Sequence, residues 1–172
     1  ENELSQNSGV RLNPRTNGPL VDEELATDQP GIFACGNVLH VHDLVDNVTL
    51  EAEQAGTAAA VYALEQKAAV SETGSAENKA TITISPGENV GYTVPAKLTI
   101  PPQKPIRILF RVRTPLDQAA VVIHAGTEIL YQGKVQAYKP SVMEAVALHP
   151  EELNRLNESD EPITVSVREV KK

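Results

Sequence analysis

A polar, aperiodic stretch, Val70-Ser71-Glu72-Thr73-Gly74-Ser75-Ala76-Glu77-Asn78-Lys79, divides this chain into two halves that follow different patterns. Small and polar residues without helical or strand period read as a linker or a long surface connection. Before it lie a segment rich in Pro, Gly and Asn, one short apolar run and a long Ala-rich stretch. After it lie short runs of Thr, Val and Ile punctuated by Pro and Gly, which is strand composition. The expectation is an α+β chain in three parts: an α/β segment over residues 1–67, a linker over 68–80 and a small β-domain over 81–172. A chain of 172 residues can bury one good core or two small ones.

The second half offers seven candidate strands: Thr81–Ser85, Gly91–Val94, Ile106–Arg113, Ala119–His124, Glu128–Tyr131, Val142–Leu148 and Ile163–Val170. Arg107, Leu109, Arg111 and Arg113 alternate with Ile106, Ile108, Phe110 and Val112, which predicts one wet face. Short strands separated by turns suggest a β-sandwich, an immunoglobulin-like one being the form considered. Pro150–Leu156 adds a short helical turn, with Pro150 at a tolerated helix start and Glu151 and Glu152 favouring it.

In the first half, Asn13-Pro14 and Asn17-Gly18-Pro19 are turn signals, because Asn and Gly accept positive φ and Pro fixes it near −65°. A short strand over Leu20–Asp22 follows, and Pro30-Gly31 then punctuates the chain. Ile32-Phe33-Ala34-Cys35 is wholly apolar, as in a strand covered on both faces of a parallel sheet. Good helix formers without Pro run from Val48 to about Glu65, with Asp46 or Asn47 as N-cap and Glu51 and Glu53 in the first turns. Val48, Ala52, Ala55, Ala59, Tyr62 and Ala63 mark one flat side of that helix.

Composition removes several functions. The net charge of −8, from 15 basic and 23 acidic residues, repels nucleic acid and anionic membrane. Aromatic residues at 3%, with no Trp, leave no base-stacking platform. No apolar run approaches the roughly 20 residues of a membrane span. The single cysteine, Cys35, excludes an internal disulfide framework and suits a reducing cytoplasm. The opening residue Glu1, in place of Met, suggests a processed or truncated N-terminus.

The informative stretch is Thr27-Asp28-Gln29-Pro30-Gly31-Ile32-Phe33-Ala34-Cys35-Gly36-Asn37-Val38. It resembles the second FAD-contacting motif of the pyridine nucleotide–disulfide oxidoreductase superfamily, usually Thr-x-x-Pro-Gly-aliphatic-aromatic-Ala-x-Gly-Asp. The resemblance extends upstream through Asn13–Glu23, like the family's preceding hairpin, and downstream through Asn47–Gly56, like its helix at the flavin ring. It covers roughly the first third of the chain. It implies that Gly36 and Asn37 face the ribityl and pyrophosphate part of FAD, and that the amides of Val48 and Thr49 face the ring edge. Gly36 would let the backbone approach a ligand, and a helix start would stabilise negative charge on the flavin. Asn37 stands where the family usually has Asp, keeping the hydrogen bond without the charge.

The resemblance therefore implies the C-terminal part of an FAD-dependent, NAD(P)H-linked oxidoreductase, supplying one wall of the flavin site and an accessory β-domain. The Gly-x-Gly-x-x-Gly loop and the redox cysteine pair lie N-terminal to the motif in that family and are not in this sequence, so the fragment alone is expected to be inactive. Its implied partners are the N-terminal part of the same protein and a second copy or a partner subunit. The other class of function considered is a non-enzymatic β-sandwich module for interaction or dimerisation. No catalytic residue is assigned.

Three further features invite chemistry. His40-Val41-His42-Asp43 has the alternation of a metal cluster, but Asp46 is the only further carboxylate counted close by, so no metal site is assigned and a loop near the flavin or a surface turn is preferred. A histidine of that loop is also a candidate for proton transfer to substrate. Cys35 reads as a buried small hydrophobe and Arg107, Arg111 and Arg113 as a solvated strand face.

Overall fold

The structure, a computed structural model, describes residues 2–69, 80–154, 156 and 161–170. The chain forms two compact units, residues 1–79 and 80–172. The expected linker residues 70–79 lie outside the described residues. Helices and strands are mixed, as an α+β chain requires.

The second unit carries nine strands among the described residues: β1 Thr81–Pro86, β2 Val90–Val94, β3 Lys97–Thr99, β4 Ile106–Val112, β5 Leu116–Ala125, β6 Glu128–Gln132, β7 Gln136–Tyr138, β8 Glu144–Leu148 and β9 Ile163–Glu169. One sheet runs β3-β1-β9-β5-β6, with β7 also paired to β5; the other runs β2-β4-β8. The β1–β9 pair is parallel and the remaining pairs are antiparallel.

Both sheets contribute to one apolar cluster, in which Ile82 and Ile84 of β1, Ile123 of β5 and Val165 of β9 meet Ile108 and Phe110 of β4 and Val146 and Leu148 of β8. The two sheets thus share one core, and burial of these β-branched and aromatic side chains is what holds the unit together. On β4 the arginines face outward as expected, but Leu109 does not share their wet face and is buried. Arg111 donates to the Pro140 carbonyl at 3.3 Å and Arg113 to the Val90 carbonyl at 2.8 Å, so these cations brace loops. The short helix α3 spans Pro150–Leu153, and the His149 N–H donates to the Glu152 carboxylate at 2.7 Å, the capping role that the acidic pair suggested.

The first unit contains helix α1, Glu3–Asn7, a 3₁₀ turn at Gly36–Val38 and helix α2, Val45–Ala69. Its extended segments meet in isolated bridges, Leu12↔Pro19 and Ala26↔Phe33. The first closes the hairpin that the Asn-Pro and Asn-Gly-Pro signals predict: Asn17 sits at φ 57°, and the Asn13 N–H donates to the Gly18 carbonyl at 2.8 Å.

Two expectations fail here. Leu20–Asp22 is not a strand, and Ile32–Cys35 is not a strand of a parallel sheet, because no described neighbour continues a ladder beyond the single antiparallel bridge at Phe33. Ile32, Phe33 and Cys35 are accordingly only half-buried. Helix α2 also begins three residues before Val48, so Asp46 lies in its first turn and does not cap it.

Candidate functional site

The resemblance motif is built on a hydrogen-bonded turn. Asp22 Oδ1 accepts from the N–H groups of Glu24 and Ala26, both at 2.9 Å, the side chain replacing backbone partners as Asp does in turns. The Thr27 N–H then donates to the Ile32 carbonyl at 2.9 Å and the Ala34 N–H to the Leu25 carbonyl at 3.0 Å. The first hairpin is tied to this segment through Asp28, which accepts from the Arg11 N–H at 3.0 Å and from Arg11 Nε at 2.8 Å. The bond from the Arg11 backbone and the guanidinium beside it hold the Asp28 carboxyl below its ordinary value.

After extended Cys35, at φ −149° and ψ 165°, the chain reverses at Gly36, where φ is +69°. Only glycine adopts that conformation without strain. A Cβ there would also lie 3.4 Å from Val48 Cγ1, so the turn rests directly on α2. The structure thus brings Gly36 and Val48 together. Asn37 is exposed, and its Oδ1 accepts from the His42 N–H at 3.2 Å, which closes the loop. Thr49 is exposed, and its hydroxyl donates back to the Val45 carbonyl at 3.2 Å.

A helix leaves its first-turn N–H groups without intrahelical partners. With α2 starting at Val45, that position belongs to Val45 and Asp46, not to the expected Val48 and Thr49.

The inner side of α2 is carried by Val48, Glu51, Ala55 and Tyr62. Of the expected flat face, Ala52 and Ala63 are exposed. Tyr62 meets Phe33 edge to face at 6.0 Å between ring centroids, and its ring edge lies 3.4 Å from where a Cβ on Gly31 would sit. A larger residue at Gly31 would push this ring away from the motif.

Glu51 is the residue that the sequence reading misplaced. It does not decorate a solvated first turn; it is buried, and three donors converge on its carboxylate. Oε1 accepts from His40 Nε2 at 2.7 Å. Oε2 accepts from the Gly36 N–H at 2.8 Å and from His42 Nε2 at 2.9 Å. The side chains of His40 and His42 are 0% and 1% exposed and that of Glu51 5%. The two imidazoles lie edge to face with centroids 4.4 Å apart.

Burial acts to raise the Glu51 carboxyl. The hydrogen bond and attraction of His40, with the Gly36 N–H and His42, outweigh it and hold the carboxyl below its ordinary value. As a carboxylate it can only accept, so each Nε2 must carry the proton it shares. Cys35 is half-buried; burial and then the Glu51 charge push its thiol up, away from a thiolate nucleophile.

His40, His42 and Glu51 therefore form a three-ligand cluster, each offering one ligand atom within 4.8 Å of the others. The sequence holds both histidines as metal candidates, but the only further carboxylate counted close by is Asp46, which is exposed, and no metal site is assigned from it. The signal that would have found the third member is a glutamate on the seam of α2, three residues after Val48 and four before Ala55.

Comparisons with protein-family models, with curated proteins and with solved structures find no match for this chain.

Proposed function

We propose that the first unit forms one wall of an FAD site in a flavin-dependent, NAD(P)H-linked oxidoreductase, and that the second is its accessory domain. The observation that carries this reading is the clamp between the Gly36–Asn37 turn and α2. A positive-φ glycine, an exposed amide side chain and the start of a long helix stand side by side, an arrangement suited to a phosphate and a ring edge.

The residues fit the cofactor with one revision. Asn37 would bind the ribityl–phosphate part, and Gly36 would give the backbone its close approach. The ring-edge donors would be the Val45 and Asp46 amides, while Val48 supports Gly36 from beneath and Thr49 lies one position further on. FAD would supply hydride transfer; these residues would bind and orient it and stabilise negative charge on its reduced ring.

Helix α2 also exposes Leu50, Val61 and Leu64 along one side, between 48% and 67% of each. An apolar strip of this kind suits coverage by the rest of a flavin domain. The second unit reads as immunoglobulin-like, its first strand parallel to its last and its two sheets opposed across one core. No helix among the described residues is long and apolar enough to cross a membrane, and the half-buried thiol suits a reducing cytoplasm.

The test is flavin retention by the protein extended upstream of Glu1 and purified with FAD supplied. Yellow flavin absorbance retained by the extended wild-type protein in EDTA supports the reading. An extended wild-type protein that stays colourless with FAD in excess overturns it.

A further inference from the structure

We propose that His40, His42 and Glu51 bind a divalent transition-metal cation, with Zn²⁺ as the best-suited ion. Binding there requires no flavin, although Glu51 also holds the Gly36 turn. Two imidazole nitrogens and a carboxylate are the donor set that zinc and neighbouring first-row metals take, and three protein ligands leave a position for water or a further ligand. All three side chains are at least nine-tenths buried and their ligand atoms lie within 4.8 Å of one another.

The geometry is close to what a metal needs. Zinc holds ligands at about 2.0–2.1 Å, which puts tetrahedral neighbours ~3.3 Å apart. The present separations are 2.7 Å from His40 Nε2 to Oε1 and 2.9 Å from His42 Nε2 to Oε2, and the three ligand atoms all lie within 4.8 Å of one another, so shifts of about half to one and a half ångströms bring them to that spacing. The cation would sit between the two Nε2 atoms and the carboxylate, in place of the two shared protons. To ligate through Nε2 each neutral imidazole carries its proton on Nδ1 instead, so no proton need leave, and the charge of the dication compensates the buried carboxylate.

His42 is hydrogen-bonded on one side only: its Nδ1 is buried with no hydrogen-bond partner among the described residues, so no hydrogen bond on that side opposes a shift of the ring. Glu51 in turn is fixed by the Gly36 N–H and by its place on the seam of α2.

The tag-free 172-residue chain, stripped with EDTA, is titrated with Zn²⁺ against a chromophoric chelator while the histidine ring signals are followed by NMR. We expect one equivalent to bind and to shift the rings of His40 and His42, leaving His124 and His149 in the second unit as internal controls. His42→Ala should weaken binding by roughly 100-fold or more, since losses even in the outer shell cost about 10–100-fold. Absence of one-to-one binding, shifts confined to His124 or His149, or equal affinity in His42→Ala would each overturn the proposal. The wild-type ring shifts need no variant, so a misfolded mutant cannot obscure the result.

Discussion

Replacing Glu51 by Gln isolates what one carboxylate contributes to the first unit. The amide keeps the shape and one carbonyl oxygen, but it loses the charge and turns the other acceptor into a donor. Three donors now share the carboxylate: His40 Nε2 at 2.7 Å, the Gly36 N–H at 2.8 Å and His42 Nε2 at 2.9 Å. A glutamine oxygen can serve the Gly36 and His42 side only if its NH₂ faces His40, which then loses its acceptor. A hydrogen bond to a charged group contributes about 1.5–3 kcal/mol, and a buried donor left unmet costs about 1–3 kcal/mol. The expected loss is about 2–4 kcal/mol, below the sum because the imidazoles can change tautomer. The assay is hydrogen exchange of the Gly36 amide by NMR, in EDTA so that no metal contributes. At 1.36 kcal/mol per tenfold, exchange should quicken roughly 30- to 900-fold. The Val121 amide of the second unit, bonded to the Tyr138 hydroxyl at 3.2 Å, is the reference and should not change. A Gly36 amide that exchanges at the wild-type rate in Glu51→Gln would refute the claim that this carboxylate holds the turn to the helix.

The same carboxylate predicts an acid-sensitive step. The folded Glu51 carboxyl lies below its ordinary 4.5, so the unfolded chain binds a proton at higher pH than the folded one. Its stabilisation is complete above that ordinary value and is lost as pH falls through the depressed one; an acid titration followed by circular dichroism of α2 should show this step in wild type and not in Glu51→Gln. Because burial pushes the Cys35 thiol up, iodoacetamide should label it more slowly near neutral pH than a cysteine in an unfolded peptide, and labelling at the peptide's rate would contradict the burial. Phe110→Ala, at a fully buried position between the two sheets, should destabilise the second unit by about 3–5 kcal/mol in denaturant unfolding, and a loss under about 1 kcal/mol would mean that this ring does not knit the two sheets.

The second unit was the more legible half, for a physical reason. All seven expected strands form, since runs such as Ile106–Arg113 and Ile163–Val170 carry enough β-branched and alternating residues to register their period. The strands that went unread, β3 and β7, have three residues each and exist through pairing with β1 and β5; a period of two has no meaning over so short a length. Ile32–Cys35 failed in the opposite sense. Its apolar composition matches a strand buried in a parallel sheet, but composition cannot supply the neighbouring strands, and in their absence one bridge forms at Phe33. Asp46 suits a cap by residue type, yet the helix already begins at Val45, ahead of it. At the site, Gly36 and the Asn-Gly hairpin could be read because positive φ leaves a residue-type signature. Glu51 could not be read from type, since a glutamate near a helix start usually faces water; only its place on the Val48–Ala55 seam distinguishes it.

Glu51 also determines which experiments can separate the flavin and metal readings. It fixes the spacing between the Gly36 turn and α2, on which an FAD contact at Asn37 would depend, and it is itself a proposed ligand on the buried side. Glu51→Gln should therefore lower both flavin retention and Zn²⁺ affinity, and the two effects together would favour neither reading. Gly36→Val has the same defect, because a β-branched residue at φ +69° with its Cβ against Val48 displaces the N–H that Glu51 accepts. Conditions separate what these substitutions cannot. Flavin retained by the extended protein in EDTA requires no metal, and His40 and His42 ring shifts on Zn²⁺ addition to the flavin-free chain require no flavin. Success of the first with failure of the second would leave His40 and His42 as a hydrogen-bonded brace beneath the turn, whereas the reverse would make the brace the binding site and the Gly36–Asn37 turn its scaffold.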